Sequence, residues 1–163
     1  MQLSDNFYLS EFTKSQTALR NGIDNTPNET AIVNLENLCK NILQPVRDYF
    51  LLPVYISSGY RNPDVNARIG GSRNSQHCLG QAADIEIFGI DNNELSDWIN
   101  DNCTYDQLIL EFYDGVDPNS GWVHVSYNEE NNRKKYIRAD KNEEGKVEYT
   151  FVWLWVEARW GNK

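Results

Sequence analysis

The spacing of apolar residues predicts a long helix in the first third of the chain. Apolar side chains recur every three or four residues, at Ile32, Leu35, Leu38, Ile42 and Val46. The segment just before them has the composition of a helix start: Thr26 can act as N-cap, Pro27 fits the first turn, and Glu29 can complete a capping box. We therefore predict a helix from about Thr26 to about Phe50.

Alternating and short continuous apolar runs predict strands in the remainder of the chain. The runs lie at 52–57, 83–88, 107–112, 122–127, 136–138 and 147–156. Short helices are predicted near 10–12 and 63–69, and a longer one after Asp91, which can act as an N-cap. No linker, repeat or low-complexity tract separates these elements. The pattern predicts one α+β domain over residues 1–163, with helices packed on a small, mostly antiparallel sheet.

The alternation within two of these strands predicts which side chains share a face. In the first strand, one face is predicted to join the core and carries Leu108, Leu110 and Phe112. The other face carries Gln107, Ile109 and Glu111. In the second strand the residues directed away from the core are Trp122, His124 and Ser126. If the two strands pair antiparallel, Glu111 and His124 project from the same side of the sheet.

Composition and charge exclude several classes of protein. The formal net charge of −9 argues against a nucleic-acid partner, because phosphate binding needs concentrated lysine and arginine. The one basic cluster, Arg133–Lys135, is interpreted as a solvated strand edge. The longest mostly apolar stretch, residues 149–156, is too short to cross a bilayer, so no membrane insertion is expected.

The N-terminal residues, the cysteines and the C-terminal aromatic residues give expectations about the location of the protein, its redox state and its contacts. The first residues lack a basic segment followed by an apolar one, so we expect a protein that is cytoplasmic as made or is delivered to the cell wall by a phage. We also expect a monomer. Cys39, Cys78 and Cys103 are odd in number and widely spaced, which indicates reduced thiols. The aromatic C-terminus, with Trp153, Trp155 and Trp160, is interpreted as a core strand or a dimer contact.

The chain has only two histidines, and their surroundings indicate a metal centre. His77 precedes Asp84 by seven positions, and His124 lies within an apolar strand. Two histidines and one carboxylate, with a fourth position left open, are typical of catalytic zinc sites. Gly80 and Ala82 are predicted to let the backbone pass close to the ion. The alternative is a metal-free α+β domain with two incidental histidines.

These residues form a motif that resembles a known family. Ser75-x-His77-x-x-Gly80-x-Ala82-x-Asp84, followed by Trp122-x-His124, is similar to the motif of the zinc D-Ala-D-Ala carboxypeptidase family of metallopeptidases. That family includes D-Ala-D-Ala dipeptidases and phage L-alanyl-D-glutamate endolysins, and it shares its fold with the hedgehog signalling domain. Further segments resemble family landmarks in the expected order, so that the resemblance extends from about residue 4 to about 150. They lie at 6–12, 44–47, 57–61, 70–72, 106–112 and 132–133.

The resemblance implies a zinc site, a substrate class and roles for individual residues. His77, Asp84 and His124 would bind Zn²⁺. Arg61 would lie at the substrate end of the cleft and hold the oxygen on which negative charge develops, although a structural salt bridge is its alternative role. The residues expected to contact the substrate besides Arg61 are Ser75, Gln107 and Trp122.

One position departs from the family pattern. Many relatives place the catalytic carboxylate three residues before the last histidine ligand, where this chain has Gly121. Glu111 is the predicted replacement as general base, and Asp114 and Asp117 in the following loop are weaker candidates.

Two functions of different classes follow from the resemblance. The first is a zinc peptidase that cleaves a D-Ala-D-Ala or L-Ala-D-Glu type bond in peptidoglycan stem or cross-link peptides, for example as a phage endolysin in cell-wall degradation. The alternative is a zinc-stabilised binding or structural module of a phage particle, with little or no turnover.

Overall fold

The computed structural model describes residues 1–152, which form an α+β fold as predicted. Helices precede and interrupt a main sheet whose strands come mostly from the second half of the chain. The elements in chain order are β1 (Gln2–Ser4), β2 (Phe7–Tyr8), α1 (Leu9–Phe12), α2 (Gln16–Asn21), α3 (Glu29–Leu38), α4 (Gln44–Phe50), β3 (Tyr55–Ser58), α5 (Pro63–Arg68), β4 (Ala82–Glu86), α6 (Asn92–Asn102), β5 (Gln107–Glu111), β6 (Trp122–Ser126), β7 (Lys135–Lys141) and β8 (Val147–Phe151).

The main sheet has six strands in the order β3-β4-β6-β5-β7-β8 within the described residues. All neighbouring strands pair antiparallel except β5 and β7, which are parallel. The prediction of a mostly antiparallel sheet is therefore confirmed. A separate two-stranded sheet joins β1 and β2, and neither of these strands was predicted. They are only three and two residues long, too short to show a period of two.

The long predicted helix exists, but it begins two residues later than expected and contains an irregular segment. Its N-cap is Asn28, whose side chain accepts a hydrogen bond from the Ala31 N–H at 2.9 Å. The expected capping by Thr26 is therefore wrong; asparagine is the stronger capping residue of the two. Between α3 and α4 the backbone forms a π-helical segment, Cys39–Leu43. Pro45 follows at the start of α4, and because proline has no N–H, a regular hydrogen-bond ladder cannot continue through it.

The core lies between this helix and one face of the main sheet. The helix contributes Leu35, Leu38, Ile42 and Val46, all without solvent exposure. The sheet contributes the predicted faces of β5 and β6, namely Leu108, Leu110, Val123 and Val125. Phe112 was expected to join them, and this is wrong. β5 ends at Glu111, Phe112 has a positive φ of 54°, and its half-exposed ring packs on Trp122 with centroids 5.3 Å apart.

The cysteines, the helix lengths and the C-terminal tryptophans test further predictions but do not form part of the site. Cys39, Cys78 and Cys103 are free thiols, as expected. Burial raises the pKa of Cys103 to about 11, which leaves this thiol protonated and unreactive at neutral pH. No helix within residues 1–152 is long and apolar enough to span a membrane. The C-terminal tryptophans Trp153, Trp155 and Trp160 lie outside the described residues.

Candidate active site

The two histidines and Asp84 converge at one point, although they come from three separate segments of the chain. His77 lies in a short 3₁₀ helix, Gln76–Leu79, whereas Asp84 and His124 are paired across β4 and β6. His77 Nε2 lies 3.2 Å from His124 Nδ1 and 3.3 Å from Asp84 Oδ1. His124 Nδ1 lies 2.9 Å from the same carboxylate oxygen. Three potential metal ligands thus direct one donor atom each at a common point.

The spacing of these three atoms fits a tetrahedral metal ion. In a zinc site with bonds of about 2.0–2.1 Å to nitrogen, neighbouring ligand atoms lie about 3.3 Å apart. The observed separations are 2.9, 3.2 and 3.3 Å. Two imidazoles and one carboxylate are also the donor set of several catalytic zinc centres, in which the fourth position stays open to a water or substrate. The residues present therefore fit a zinc ion.

The surroundings of His77 hold its ring in the tautomer that a metal requires. His77 Nδ1 lies 2.7 Å from the carbonyl oxygen of Gly59. Because a carbonyl oxygen can only accept a hydrogen bond, Nδ1 carries the proton and donates it. The lone pair of Nε2 is then directed toward Asp84 and His124. Metal-binding histidines commonly have such a partner, which fixes both the tautomer and the orientation of the ring.

The protonation states of the site also suit a metal. Burial lowers the pKa of His77 below its ordinary value, against the opposing effect of the Asp84 carboxylate. Burial raises the pKa of Asp84, but the interactions with His77 and His124 outweigh it, so that the pKa lies well below its usual range. At neutral pH the site therefore holds a neutral His77 and an ionised Asp84. These are the forms in which the two side chains bind a metal ion.

An ion pair between the buried Asp106 and the half-exposed Arg133 anchors the segment that carries His77, and local sequence patterns did not predict this pair. Asp106 is 2% exposed and accepts hydrogen bonds from Arg133 Nε at 2.7 Å and Arg133 Nη2 at 2.8 Å. It also accepts one at 2.8 Å from Gln76, the residue before His77. The interpretation of Arg133–Lys135 as a solvated strand edge is confirmed only in part. Arg133 and Lys134 are exposed, but Arg133 binds Asp106, and β7, which begins at Lys135, lies between β5 and β8.

Replacing Arg133 with methionine should lower the free energy of unfolding at pH 7 by about 2 kcal/mol, since hydrogen bonds to charged groups contribute roughly 1.5–3 kcal/mol. The pKa of Asp106 is lowered in the folded state; burial opposes this shift and the Arg133 hydrogen bonds cause it. The ion pair therefore stabilises the fold above the pKa of Asp106 in the unfolded chain, about 3.9, and loses its effect as the pH falls below it.

Urea denaturation of both proteins between pH 7 and pH 3 measures this difference. We expect the stability gap between wild type and Arg133→Met to narrow toward the acidic end, because the effect is lost as the pH falls through the lowered pKa of Asp106 in the folded state. Lys14→Met, which removes an exposed cation that makes no ion pair within residues 1–152, is the matched control and should leave stability nearly unchanged. A gap that stays constant with pH would contradict the assigned role of Asp106.

Glu111 lies in the same cleft as the three ligands. In the pairing of β5 with β6, Glu111 is opposite Trp122, and Ile109 is opposite His124. Glu111 and His124 are therefore diagonal neighbours on one face of the sheet, as the alternation predicted. Burial raises the pKa of Glu111 above its usual value, and the nearby Asp84 carboxylate raises it further. A carboxyl group with a raised pKa is suited to exchanging protons near neutral pH.

The structure explains why position 121 carries glycine. Gly121 has a positive φ of 64°, a conformation that side-chain-bearing residues rarely adopt. A Cβ at this position would overlap the carbonyl oxygen of Glu111 and also approach the Phe112 backbone. Position 121 therefore cannot carry a carboxylate without a change in the backbone.

Gly121→Ala should destabilise the protein by about 2–4 kcal/mol, because the left-handed conformation and the overlap with the Glu111 carbonyl both oppose a Cβ. Gly115→Ala is the matched control. Gly115 also has a positive φ, 77°, but a Cβ there would meet open space. Both variants place a side chain at a positive φ, but only Gly121→Ala also creates a steric overlap. The difference between their free energies of unfolding, measured by urea denaturation, therefore gives the energetic effect of the overlap. Equal losses of stability would mean that the close approach at Gly121 has no energetic effect.

Arg61 also lines this cleft, and within residues 1–152 no salt bridge holds its side chain. Its backbone N–H donates to the carbonyl oxygen of His77 at 3.2 Å, so that Arg61 stays beside the ligand set. Its Nε is buried and has no hydrogen-bond partner within residues 1–152. The alternative of a structural salt bridge to the sheet edge is therefore not supported by the described residues. A guanidinium whose buried Nε has no hydrogen-bond partner among the described residues can bind an anionic or partly charged oxygen of a ligand.

Some of the remaining residues predicted to act in the site line the cleft, and others do not. The cleft has a volume of about 730 Å³, and the predicted substrate contacts Ser75, Gln107 and Trp122 all line it. Asp114 and Asp117 do not line it. Asp114 instead accepts hydrogen bonds at 2.8 Å from the N–H groups of Val116 and Asp117, which shape the loop between β5 and β6.

Gly80 makes a tight turn, as predicted, and it also allows a close contact with the long helix. It ends the 3₁₀ helix with a positive φ of 71°, and a Cβ there would overlap the backbone of Ala31 in α3. Its lack of a side chain therefore allows the His77 segment to pack closely on the long helix. Ala82 begins β4, opposite Ser126.

A comparison with known families agrees with this geometry. The model of the peptidase M15 family matches residues 5–126, well over half of the chain. The matched region contains the convergent ligand set, together with Arg61 and Glu111. No curated protein matches the chain. The match over most of the fold shows that this chain belongs to the peptidase M15 family, the zinc D-Ala-D-Ala carboxypeptidase-like metallopeptidases.

Proposed function

We propose that this protein is a zinc-dependent peptidase that hydrolyses the short peptides of bacterial peptidoglycan. The observation that carries the proposal is the convergence of His77, Asp84 and His124 in an open cleft, with a carboxylic acid on the adjacent strand. Membership of the peptidase M15 family supports both the class of reaction and the class of substrate. The two candidate bonds are of the D-Ala-D-Ala type and the L-Ala-D-Glu type.

His77, Asp84 and His124 would hold the metal. When bound there, zinc supplies a Lewis acid that lowers the pKa of a water molecule from 15.7 toward about 7 and polarises a carbonyl group. Glu111 accepts the proton of the attacking water and later donates it to the amine that leaves. The raised pKa of Glu111 favours both steps, because the group must gain and lose a proton in one catalytic cycle.

Arg61 is proposed to stabilise the oxygen of the scissile carbonyl as negative charge develops on it. The guanidinium lies beside the ligand set and lacks a partner within the described residues, so it can direct its N–H groups at a substrate. One such donor commonly contributes about 3–4 kcal/mol to transition-state stabilisation. Ser75, Gln107 and Trp122, which also line the cleft, are proposed to contact the peptide on either side of the bond.

Purified muropeptides, incubated with the zinc-loaded protein, test this function. Hydrolysis should release one new amine per bond cut, and mass spectrometry of the products should identify the bond. A chelator should abolish the reaction, and added Zn²⁺ should restore it. If zinc is bound but no amine appears under any condition, the proposed activity is wrong, and the protein is a zinc-stabilised binding module instead.

A further inference from the structure

The cleft continues across the sheet well beyond the ligand set. The strand registers place His124 opposite Ile109, Ile109 beside Ile137, and Ile137 opposite Phe151. All four residues line the same cleft. Neighbouring strands are about 4.8 Å apart, so the backbone of Phe151 lies about 14 Å from that of His124. The cleft is therefore much longer than the metal site itself.

The distant half of the cleft has an apolar floor and an aromatic wall. The floor is formed by Ile109 and Ile137, which line the cleft and belong, with Ala139, to a small buried cluster separate from the main core. Tyr149, opposite Ala139 in the pairing of β7 with β8, stands beside it and is 65% exposed. A floor of this kind on the substrate-facing side of a sheet is typical of a ligand site, since most binding pockets are lined by apolar and aromatic side chains.

A lysine with no acidic partner among the described residues lies at the edge of this floor. Lys135 is half-buried beside Gln107, with its Nζ 5.5 Å from the centre of the Phe151 ring. It makes no ion pair with an acidic side chain within residues 1–152. The acids that line the cleft, Asp84 and Glu111, both lie at the metal end. In a chain of net charge −9, this lysine gives the distant half of the cleft a locally positive character.

The position of Lys135 fits an extended peptide that begins at the metal. Lys135 lies two strands across and two residues along from His124, which places the two Cα atoms about 12 Å apart. An extended peptide spans about 3.3–3.6 Å per residue, so this separation corresponds to roughly three to four residues.

We propose that the β7–β8 side of the cleft is a second substrate subsite. In it Lys135 binds a carboxylate of the peptide roughly three to four residues from the scissile bond. Tyr149 and the floor of Ile109 and Ile137 pack against the intervening peptide. The proposal rests on the proposed peptidase function and specifies its substrate as an acidic peptide. Lys135 and Tyr149 lie beyond residues 5–126, so the family match does not account for them.

Binding measurements test this subsite without turnover. The probes are short peptides of L-alanine, D-glutamate and D-alanine, in which each carboxylate in turn is converted to a carboxamide. Their affinities are measured by calorimetry on zinc-loaded Glu111→Gln protein, with and without a second substitution, Lys135→Gln. Lys146→Gln is the matched control, because it removes the same charge from an exposed hairpin lysine.

We expect one amidation to weaken binding by about tenfold when Lys135 is present and to have no further effect after Lys135→Gln. Tyr149→Ala should weaken all probes alike. The proposal is overturned if every amidation acts equally on both proteins, if Lys135→Gln binds as the control does, or if no probe binds. The proposed peptidase activity is judged separately, by the muropeptide digest with and without chelator.

Discussion

Glu111→Gln should retain zinc and lose about 10²–10⁴-fold in the rate of peptide hydrolysis, the usual effect of removing a general base. Glutamine has nearly the shape of glutamate but cannot accept a proton from water at neutral pH. Glu111 is not one of the three converging ligands, so the metal site should remain intact. The expected result is a protein with normal zinc content, normal stability and almost no turnover.

Rates of amine release and zinc content, measured on the same preparations, check this expectation. Asp114→Asn and Asp117→Asn are the matched controls: each also removes one carboxylate, but from a loop that does not line the cleft. Both should retain near wild-type rates. If Glu111→Gln keeps its activity and one of the loop variants loses most of its rate, the general base is the aspartate replaced in that variant and not Glu111.

His77→Ala should abolish both zinc binding and hydrolysis. The substitution removes one of three protein ligands, and even the loss of an outer-shell partner commonly lowers metal affinity by about 10–100-fold. Removing the ligand itself should have a larger effect. Because His77 is buried, circular dichroism must also show that the variant remains folded.

Cys78→Ala is the matched control for His77→Ala. Cys78 lies next to His77 in the same 3₁₀ helix but is not one of the three converging ligands. Zinc content by elemental analysis should stay near one ion per chain in this control and fall close to zero in His77→Ala. A folded His77→Ala protein that keeps a full zinc ion would show that the metal binds elsewhere.

Local sequence patterns predicted those parts of the fold that local forces determine. The apolar stripe of the long helix and the alternation in β5 and β6 depend on periodicity, and both core faces are confirmed. Errors arose where one residue outweighed the pattern. The helix is capped by Asn28 and not by Thr26. Phe112 has a positive φ, so β5 ends at Glu111 and the Phe112 side chain does not join the core.

Features that join distant segments were not available from local patterns. The ion pair of Asp106 with Arg133 spans 27 positions, and the parallel pairing of β5 with β7 creates the distant half of the cleft. The reason for Gly121 is a close approach to the Glu111 carbonyl, a contact that exists only in the folded chain. The ligand set could be predicted because two histidines and one aspartate are the donor types of a catalytic zinc site and because they form a motif that resembles a family. Their convergence at one point is a property of the fold.

The most direct test of the zinc site is an anomalous difference map from crystals grown with Zn²⁺, recorded on both sides of the zinc absorption edge. We predict one strong peak at about 2.0–2.2 Å from His77 Nε2, Asp84 Oδ1 and His124 Nδ1, and facing the cleft that holds Glu111. A map with no peak at this point, or with zinc bound only at other residues, would contradict the assignment of these three side chains as the metal centre.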